Sequence, residues 1–413
     1  MARPISRRAF LRGTLGLSLG AGTAALGAGC ERDAPPAAGA AAAQTASPEN
    51  PVLWPVSADN RPIRPGLQPE RNATLHLYNW EDYINADVIK AFERKFRAYN
   101  VKVKVSTFDN ASQAVSNVRS GKADYDILFV TYDLLGQLAL GNHLRPLSHR
   151  YIPNINQVWP VFQNPFYDQD WRYSVPYTVY TTGIGWRADK VEQDVAKLAD
   201  PYEILWNSDY YGRVGVLDEY RETLGMVLLK NGISNLNTTR PKHLELVRQD
   251  LIDLASATRP VIDVNAYEDL PTGKTWVSMA FSGDLVAAPY YLPEGLDPQV
   301  LRYWFPLDGR GTVGNDLMTI LRSSRNPVLA HHFLNFMLDE KNAYDNFYNF
   351  NGYQPPLNNV TPESLVADEA VPPNLASAVL TKEDYDRSQE LLELAPEADT
   401  LWQNAWAEFK AGV

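Results

Sequence analysis

Two aromatic rings and two carboxylates follow a short alternating segment at residues 75–79. Leu75 and Leu77 alternate with polar residues, which predicts a half-buried strand. The next four residues, 80–83, are Trp, Glu, Asp and Tyr, and the pattern after them predicts an amphipathic helix. Ligands gather at the carboxyl ends of strands in such βα units. The cluster could therefore hold an organic cation, although a surface loop with a half-buried Trp fits the same residues.

Acids and rings also follow other predicted strands. A cluster of carboxylates in one cleft would repel itself unless a cation neutralised it. Aromatic rings attract ammonium groups by about 0.5–2 kcal/mol each, and a hydrogen bond between ammonium and carboxylate contributes roughly 1.5–3 kcal/mol. An aliphatic polyamine needs this combination, whereas solvated loop ends and helix caps are the plainer interpretation. The residues concerned are Thr131, Asp133, Glu219, Glu222, Phe281 and Asp316.

No catalytic motif accompanies these clusters. The sequence lacks G-x-S-x-G, H-E-x-x-H, the P-loop and G-x-G-x-x-G. His331 and His332 are adjacent in a predicted helix, so their rings would point apart and would not share a metal ion. The tyrosine pairs at 210–211 and 290–291 could ligate ferric iron, but packing explains them as well. The sequence predicts no enzyme, no cofactor and no resident metal.

Composition limits the class of partner. The 413 residues carry a formal net charge of -11, which argues against a nucleic-acid partner and favours cationic ligands. The single cysteine, Cys30, excludes an intrachain disulfide and a cysteine-based zinc site.

The N-terminus carries export signals. Residues 6–11, Ser-Arg-Arg-Ala-Phe-Leu, resemble a twin-arginine signal, and a mildly apolar stretch follows. Leu26-Gly-Ala-Gly precedes Cys30, as in a lipoprotein processing site where the cysteine is lipidated. A plain signal peptide cut nearby is the alternative. We expect residues 1–30 to be a signal, residues 31–71 to be a tether and an irregular lead-in, and the protein to be periplasmic or at the cell surface through a lipid anchor.

Strands and helices alternate through the rest of the chain, which predicts an α/β fold with a largely parallel sheet. The segment 174–186 is β-branched and uncharged, and predicts a long strand that crosses between two parts of the sheet. A second such strand is predicted at 313–321. The end of the chain is predicted to be helical at 382–394 and 400–410.

About 340 residues, from Leu75 onward, resemble the periplasmic spermidine/putrescine-binding proteins of ABC transporters. The resemblance rests on short motifs that occur in the family's order. They are YNWEDY at 78–83, YDI at 125–127, VPY at 175–177, TGIG at 182–185, DEYRE at 218–222, GYQP at 352–355 and WQN at 402–404.

The resemblance implies a two-lobe periplasmic-binding-protein fold of type II, with two hinge crossovers and a ligand cleft between the lobes. Lobe one would comprise residues 72–182 plus 315–358, and lobe two residues 186–313 plus 365–413. It further implies a monomer that binds a polyamine and docks on the permease subunits of an ABC importer. Another solute, such as ferric iron or a sugar, is the alternative ligand.

The resemblance also implies a set of ligand contacts. Asp133, Phe281 and Gly314 stand where the family has aromatic residues, so we expect a cage with less ring area and one more carboxylate. That change leaves room for a longer, more charged or branched amine. The contacts carried over from the family are Trp80, Asp82, Tyr83, Thr131, Glu219, Glu222, Asp316, Tyr353 and Gln403.

Overall fold

A computed structural model describes residues 45–108, 110–122 and 124–412. The predicted twin-arginine signal and the lipidation site at Cys30 lie outside the described residues. Within the described ranges, no helix combines the length and the apolar character needed to cross a membrane.

Helices and strands alternate along the chain. The strands are β1 (Thr74–Trp80), β2 (Lys102–Phe108), β3 (Ile127–Thr131), β4 (Ser174–Arg187), β5 (Val214–Leu217), β6 (Val261–Asp263), β7 (Val277–Phe281), β8 (Leu301–Trp304), β9 (Thr312–Ile320) and β10 (Gln389–Glu390). The helices are α1 (Ala86–Lys95), α2 (Ala111–Arg119), α3 (Leu135–Leu140), α4 (Tyr220–Lys230), α5 (Pro241–Thr258), α6 (Ala266–Thr272), α7 (Ser282–Ala287), α8 (Pro327–Met337), α9 (Glu340–Asn346), α10 (Pro362–Ala367), α11 (Lys382–Arg387) and α12 (Pro396–Ala411).

The strands of the described residues form one sheet in the order β2-β1-β3-β9-β4-β7-β5-β6, with β10 on β9 and β8 on β4. On one side β1 runs parallel to β2 and β3. On the other side β5 runs parallel to β6 and β7. Between them β9 and β4 are antiparallel to their main neighbours. This arrangement confirms the predicted α/β class. The prediction of a parallel sheet was wrong for its centre, because the two long strands β4 and β9 run antiparallel to β3, β7 and each other.

The central strand β4 joins the two sides of the sheet. Every one of its 14 residues is buried, as expected for a β-branched segment that is uncharged as far as Trp186. Its first part pairs with β9 and its last part with β7 and β8. The register shifts between Pro176 and Thr178, where proline lacks the N–H that a regular ladder needs. The predicted crossing strand is therefore confirmed.

The buried apolar residues form two clusters. One surrounds β1, β3 and α8, and the other surrounds β5, α4, α5 and α12. Leu365, Leu375 and Tyr385 belong to the first cluster, although we expected residues 365–413 in lobe two. Trp402 and Phe409 belong to the second cluster, as expected. The lobe boundaries themselves stay a prediction.

Two local predictions were wrong. The helix predicted at 382–394 ends at Arg387, because Gln389 and Glu390 pair with β9 instead. That pairing satisfies backbone groups in the sheet, which overrides local helix propensity. Within residues 31–71, the composition predicts a flexible tether as far as about residue 50, yet Ala46 is buried and residues 47 and 50 form an isolated bridge.

Close backbone approach at the centre of the sheet makes Gly183 a sensitive position. A Cβ built there would clash with the carbonyl oxygen of Trp304 and would lie 2.7 Å from the Tyr303 hydroxyl oxygen. We expect Gly183→Ala to lower the free energy of unfolding by about 1–3 kcal/mol through overpacking. Urea unfolding followed by circular dichroism measures this change.

Gly225, within α4, supplies the matched control. A Cβ there would lie 3.6 Å from the nearest Leu391 methyl carbon, an ordinary contact. Gly225→Ala should therefore be neutral or stabilise the protein by up to about 1 kcal/mol, because alanine favours helix. Equal stabilities of the two variants would contradict the close packing at Gly183.

Candidate ligand-binding site

The candidate site lies on the two central strands and on the strand ends beside them. Asp316 lies within β9, between Thr131 of β3 and Thr178 of β4. Glu219 and Glu222 begin α4, just after β5 ends. The sheet therefore brings acids from both of its sides toward one place, because β9 and β4 form its centre.

Asp316 is 5% exposed, and its two oxygens have different surroundings. The Tyr83 hydroxyl donates to Asp316 Oδ2 at 2.6 Å and lies 2.6 Å from the Thr178 hydroxyl, from which it can accept. Asp316 Oδ1 has no hydrogen-bond partner among the described residues. Tyr83 thus fixes the carboxylate while one oxygen is left for another donor.

Glu219 and Glu222 also have unpaired oxygens. Glu219 occupies the N-cap position of α4, but its side chain does not cap the helix. Within the described part of the chain, Glu219 Oε1 and Glu222 Oε2 are buried without a hydrogen-bond partner. A buried acceptor with no donor is costly, so these oxygens mark a place where a donor is expected to bind.

Burial and mutual repulsion keep these acids partly protonated. Burial, followed by repulsion from Glu222 and Asp133, raises the pKa of Glu219 to about 8. Burial is also the main cause that raises the pKa of Glu222 to about 7 and the pKa of Asp316 to about 7, with Asp133 adding to both. Burial raises the pKa of Asp133 itself. The four acids therefore sense one another electrostatically, and a cation among them would favour their charged forms.

Aromatic rings adjoin the acids. Trp80 is half-buried and packs on Phe108, with ring centroids 4.6 Å apart. Tyr353 contacts Tyr83 edge-on at 4.9 Å and lies 6.4 Å from Phe281. Such rings pack on methylene groups and attract cations.

The structure supplies a ring that sequence reasoning missed. Tyr180 of β4 lies opposite Gly314 of β9. A Cβ built on Gly314 would lie 2.6 Å from the Tyr180 hydroxyl oxygen, so only glycine leaves room for that ring. Tyr180 also contacts Phe281 at 5.1 Å and Tyr353 at 6.0 Å. The loss of ring area expected from Gly314 is thus at least partly offset by Tyr180, a relation visible only once β4 and β9 are paired.

A further acid contacts the same rings. The Tyr353 hydroxyl donates to Asp284 Oδ1 at 2.9 Å, which joins α7 to the segment after α9. A Cβ on Gly283 would clash with the Tyr353 ring, so glycine permits this close approach. Burial raises the pKa of Asp284 to about 7. The sequence singles out Phe281 at this strand end, but the contacts implied by the resemblance do not include Asp284.

Three predicted contacts lie at the margin of this cluster. Thr131 is half-buried at the end of β3. Asp82 is exposed and has a φ of 51°, in the left-handed region. Gln403 is exposed on α12, where its amide donates to Asp399 at 2.7 Å. Their roles in ligand binding stay predictions.

The possible metal ligands do not converge. Among the described residues, no group of three His, Cys, Asp or Glu side chains is arranged to hold a metal ion. The Tyr210 hydroxyl donates to Gln193, and Tyr211 is 58% exposed. The Tyr290 hydroxyl donates to the Tyr348 carbonyl oxygen. The hydroxyls of Tyr210 and Tyr290 are therefore already engaged in hydrogen bonds.

Comparison with known families identifies the class of protein. The model of a family described as bacterial extracellular solute-binding protein matches residues 87–373. The chain belongs to this family. Members bind solutes for transport, and the fold of this solute-binding protein is the two-lobe α/β fold that the resemblance implied.

Individual relatives of this chain are also solute-binding proteins. The putrescine/cadaverine-binding protein of Pseudomonas aeruginosa is 28% identical over 274 residues, which cover 65% of this chain and 75% of that protein. The spermidine/putrescine-binding periplasmic protein of Escherichia coli is 25% identical over 269 residues, covering 65% and 73%. The solved structure of a putative spermidine/putrescine ABC transporter protein from Listeria monocytogenes matches with a TM-score of 0.69 and 26% identity, covering 82% of this chain and 98% of that one.

The raised pKa values of the site acids predict a pH-dependent stability. Between about pH 4.5 and pH 8 the folded protein retains protons that the unfolded chain has released. The free energy of unfolding should therefore fall as the pH rises through this range, in protein freed of small cations. Glu222→Gln should flatten this fall and stabilise the protein at about pH 8 by about 1–3 kcal/mol, because it removes a buried charge. Urea unfolding across the pH range measures both effects.

The exposed Glu268 offers a control on α6, where Glu268→Gln should leave the pH slope unchanged. A Glu222→Gln variant with the same pH slope as the unaltered protein would show that Glu222 is not held protonated by its surroundings.

Proposed function

We propose that this protein binds a linear polyamine of the putrescine or spermidine type and delivers it to the permease of an ABC importer. The names of its relatives support this ligand class. The observation that carries the proposal is the set of three buried, unpaired carboxylate oxygens on Asp316, Glu219 and Glu222. Each can accept a hydrogen bond from an ammonium group, which has donors and no acceptor.

The placement of the acids supports a ligand that links the two sides of the sheet. Asp316 lies on β9, next to β3, whereas Glu219 and Glu222 follow β5 on the other side. A diamine has a positive charge at each end, so it can engage both sides at once. Such a ligand stabilises the closed arrangement of the lobes, because it makes all of its contacts only there.

The rings support an aliphatic chain between the charges. Trp80, Tyr180, Phe281 and Tyr353 present apolar faces beside the acids, where methylene groups can pack. Cation–π attraction to these rings adds about 0.5–2 kcal/mol per contact.

The alternative ligands have less support. A neutral sugar would leave the repulsion among the buried carboxylates uncompensated. Ferric iron needs several ligands around one point, and no group of three His, Cys, Asp or Glu side chains among the described residues provides them. The proposed role is binding and delivery without chemical turnover, as in the rest of the family.

We further propose that the protein is exported through the twin-arginine signal at 6–11 and anchored by lipidation of Cys30, on the basis of the sequence motifs. Cys30→Ser should move the protein from the membrane fraction to the soluble fraction of the exported material. Fractionation followed by immunoblotting measures the distribution, with the unaltered protein as control. A Cys30→Ser protein that still sediments with membranes would exclude the lipid anchor.

Charge and stacking in the site predict how binding depends on single residues. Asp316→Asn keeps the side-chain shape but leaves a desolvated ammonium without its charged partner. We expect it to weaken putrescine or spermidine binding by about 2–4 kcal/mol, roughly 30- to 1000-fold in Kd. Trp80→Ala should weaken binding by a similar factor through lost packing and cation–π attraction. Titration calorimetry measures each Kd.

Two residues outside the site serve as matched controls. Asp253 is exposed on α5 and Trp406 is half-buried on α12, so Asp253→Asn and Trp406→Ala should leave the Kd unchanged. Near-normal binding by both Asp316→Asn and Trp80→Ala would rule out the proposed site.

A further inference from the structure

A small chamber lies beside the candidate site. It lies between α3, the segment before α12 and the lead-in around residue 54, and has room for about one water-sized group. Its walls include Asp133, Glu393, Tyr132 and Trp54, with Gly136 in the floor. None of these residues except Asp133 belongs to the set of contacts that the family resemblance implies.

Two carboxylates reach this chamber. Asp133 couples the chamber to the main site electrostatically. Repulsion from its charge adds to the effect of burial in raising the pKa values of Glu219, Glu222 and Asp316. Glu393 is half-buried and forms no hydrogen bond or ion pair with the described residues. Burial, followed by repulsion from Asp133, raises the pKa of Glu393 to about 7. The chamber is thus acidic, and no lysine or arginine among the described residues forms an ion pair with Asp133 or Glu393.

Arg221, whose charge acts on Asp133, donates hydrogen bonds to other groups. The Arg221 guanidinium donates to the Leu392 carbonyl oxygen and to Asn237 Oδ1, both at 2.7 Å. It also lies over the Trp402 ring at 4.7 Å. Arg221 therefore holds the C-terminal segment in place and forms no ion pair with Asp133 or Glu393 within the described residues.

A buried hydroxyl provides an independent sign of a ligand. Tyr132 lines the chamber and is only 6% exposed, yet its hydroxyl has no hydrogen-bond partner among the described residues. A phenolic oxygen can accept a hydrogen bond from an ammonium group. Buried hydroxyls normally find a partner, so an unpartnered one in an acidic chamber indicates a missing donor.

The local structure keeps the chamber open. A Cβ built on Gly136 would lie 2.7 Å from Glu393 Oε2 and 3.0 Å from the Trp54 ring, so glycine provides the space. The Trp54 indole N–H donates to the Tyr167 carbonyl oxygen at 2.7 Å, which fixes the opposite wall. An ammonium group is about the size of a water molecule, so the chamber has room for the terminal ammonium group of an amine but not for its methylene chain.

We infer that this chamber receives the additional ammonium group of a linear triamine, so that the protein prefers a triamine to a diamine. The inference rests on the proposed function, because the diamine portion would occupy the main site. The extra arm would pass Asp133 and place its terminal ammonium between Glu393 and the Tyr132 hydroxyl. The chamber would then act as a specificity-determining subsite.

Titration calorimetry of the full chain with putrescine and with spermidine tests the subsite. The unaltered protein should bind spermidine at least about 10-fold more tightly than putrescine. Glu393→Gln should weaken spermidine binding by about 10- to 100-fold and leave putrescine binding within about twofold. Gly136→Ala should act in the same direction by filling the chamber, without a change in charge.

Glu397 is exposed and lies close to Glu393 in the sequence, so it gives the matched control. Glu397→Gln should change neither Kd. If both amines bind but Glu393→Gln and Gly136→Ala leave their Kd ratio unchanged, the subsite is excluded and the proposed function stands. Equal weakening of both amines in Glu393→Gln also excludes it. If the unaltered protein binds neither amine, the proposed function itself fails.

Discussion

The burial of several carboxylates close to one another is the constraint on which the site depends. Asp316, Glu219 and Glu222 are removed from water, and each has an oxygen without a donor. Their raised pKa values express the resulting cost, which protonation relieves when no cation is bound. A polycation would relieve this cost without protonation. The relief would then contribute favourable free energy to ligand binding.

Another buried acid shows that burial alone does not make a site. Asp126 is 4% exposed, but its Oδ1 accepts from the Ser324 hydroxyl and from the backbone N–H groups of Arg325 and Asn326. Its Oδ2 accepts from the backbone N–H of His76. This satisfied carboxylate fastens β1 to the start of α8. The site acids differ because the fold leaves part of their hydrogen-bonding capacity unused.

The aromatic rings beside the acids show that similar surroundings can be built from residues on different strands. Gly314 removes a ring from β9, but the same glycine admits Tyr180 from β4. The glycine at position 314 therefore lets β4 place a ring where the resemblance implies one from β9. Asp133, where the resemblance implies an aromatic residue, lines the chamber beside Glu393, and burial followed by repulsion from Glu222 and Asp133 raises the pKa of Glu219.

The sequence by itself determined the α/β class, the long central strand at 174–186 and the acid-bearing strand ends, because hydrophobic periodicity and local residue types carry that information. It did not determine that residues after Arg387 leave the helix to pair with β9, nor that Ala46 is buried, since distant partners decide both. Tyr180 and Glu393 show the same limit. Their relations to Gly314 and Gly136 join residues more than 100 positions apart, and only strand pairing and tertiary packing bring such residues into contact.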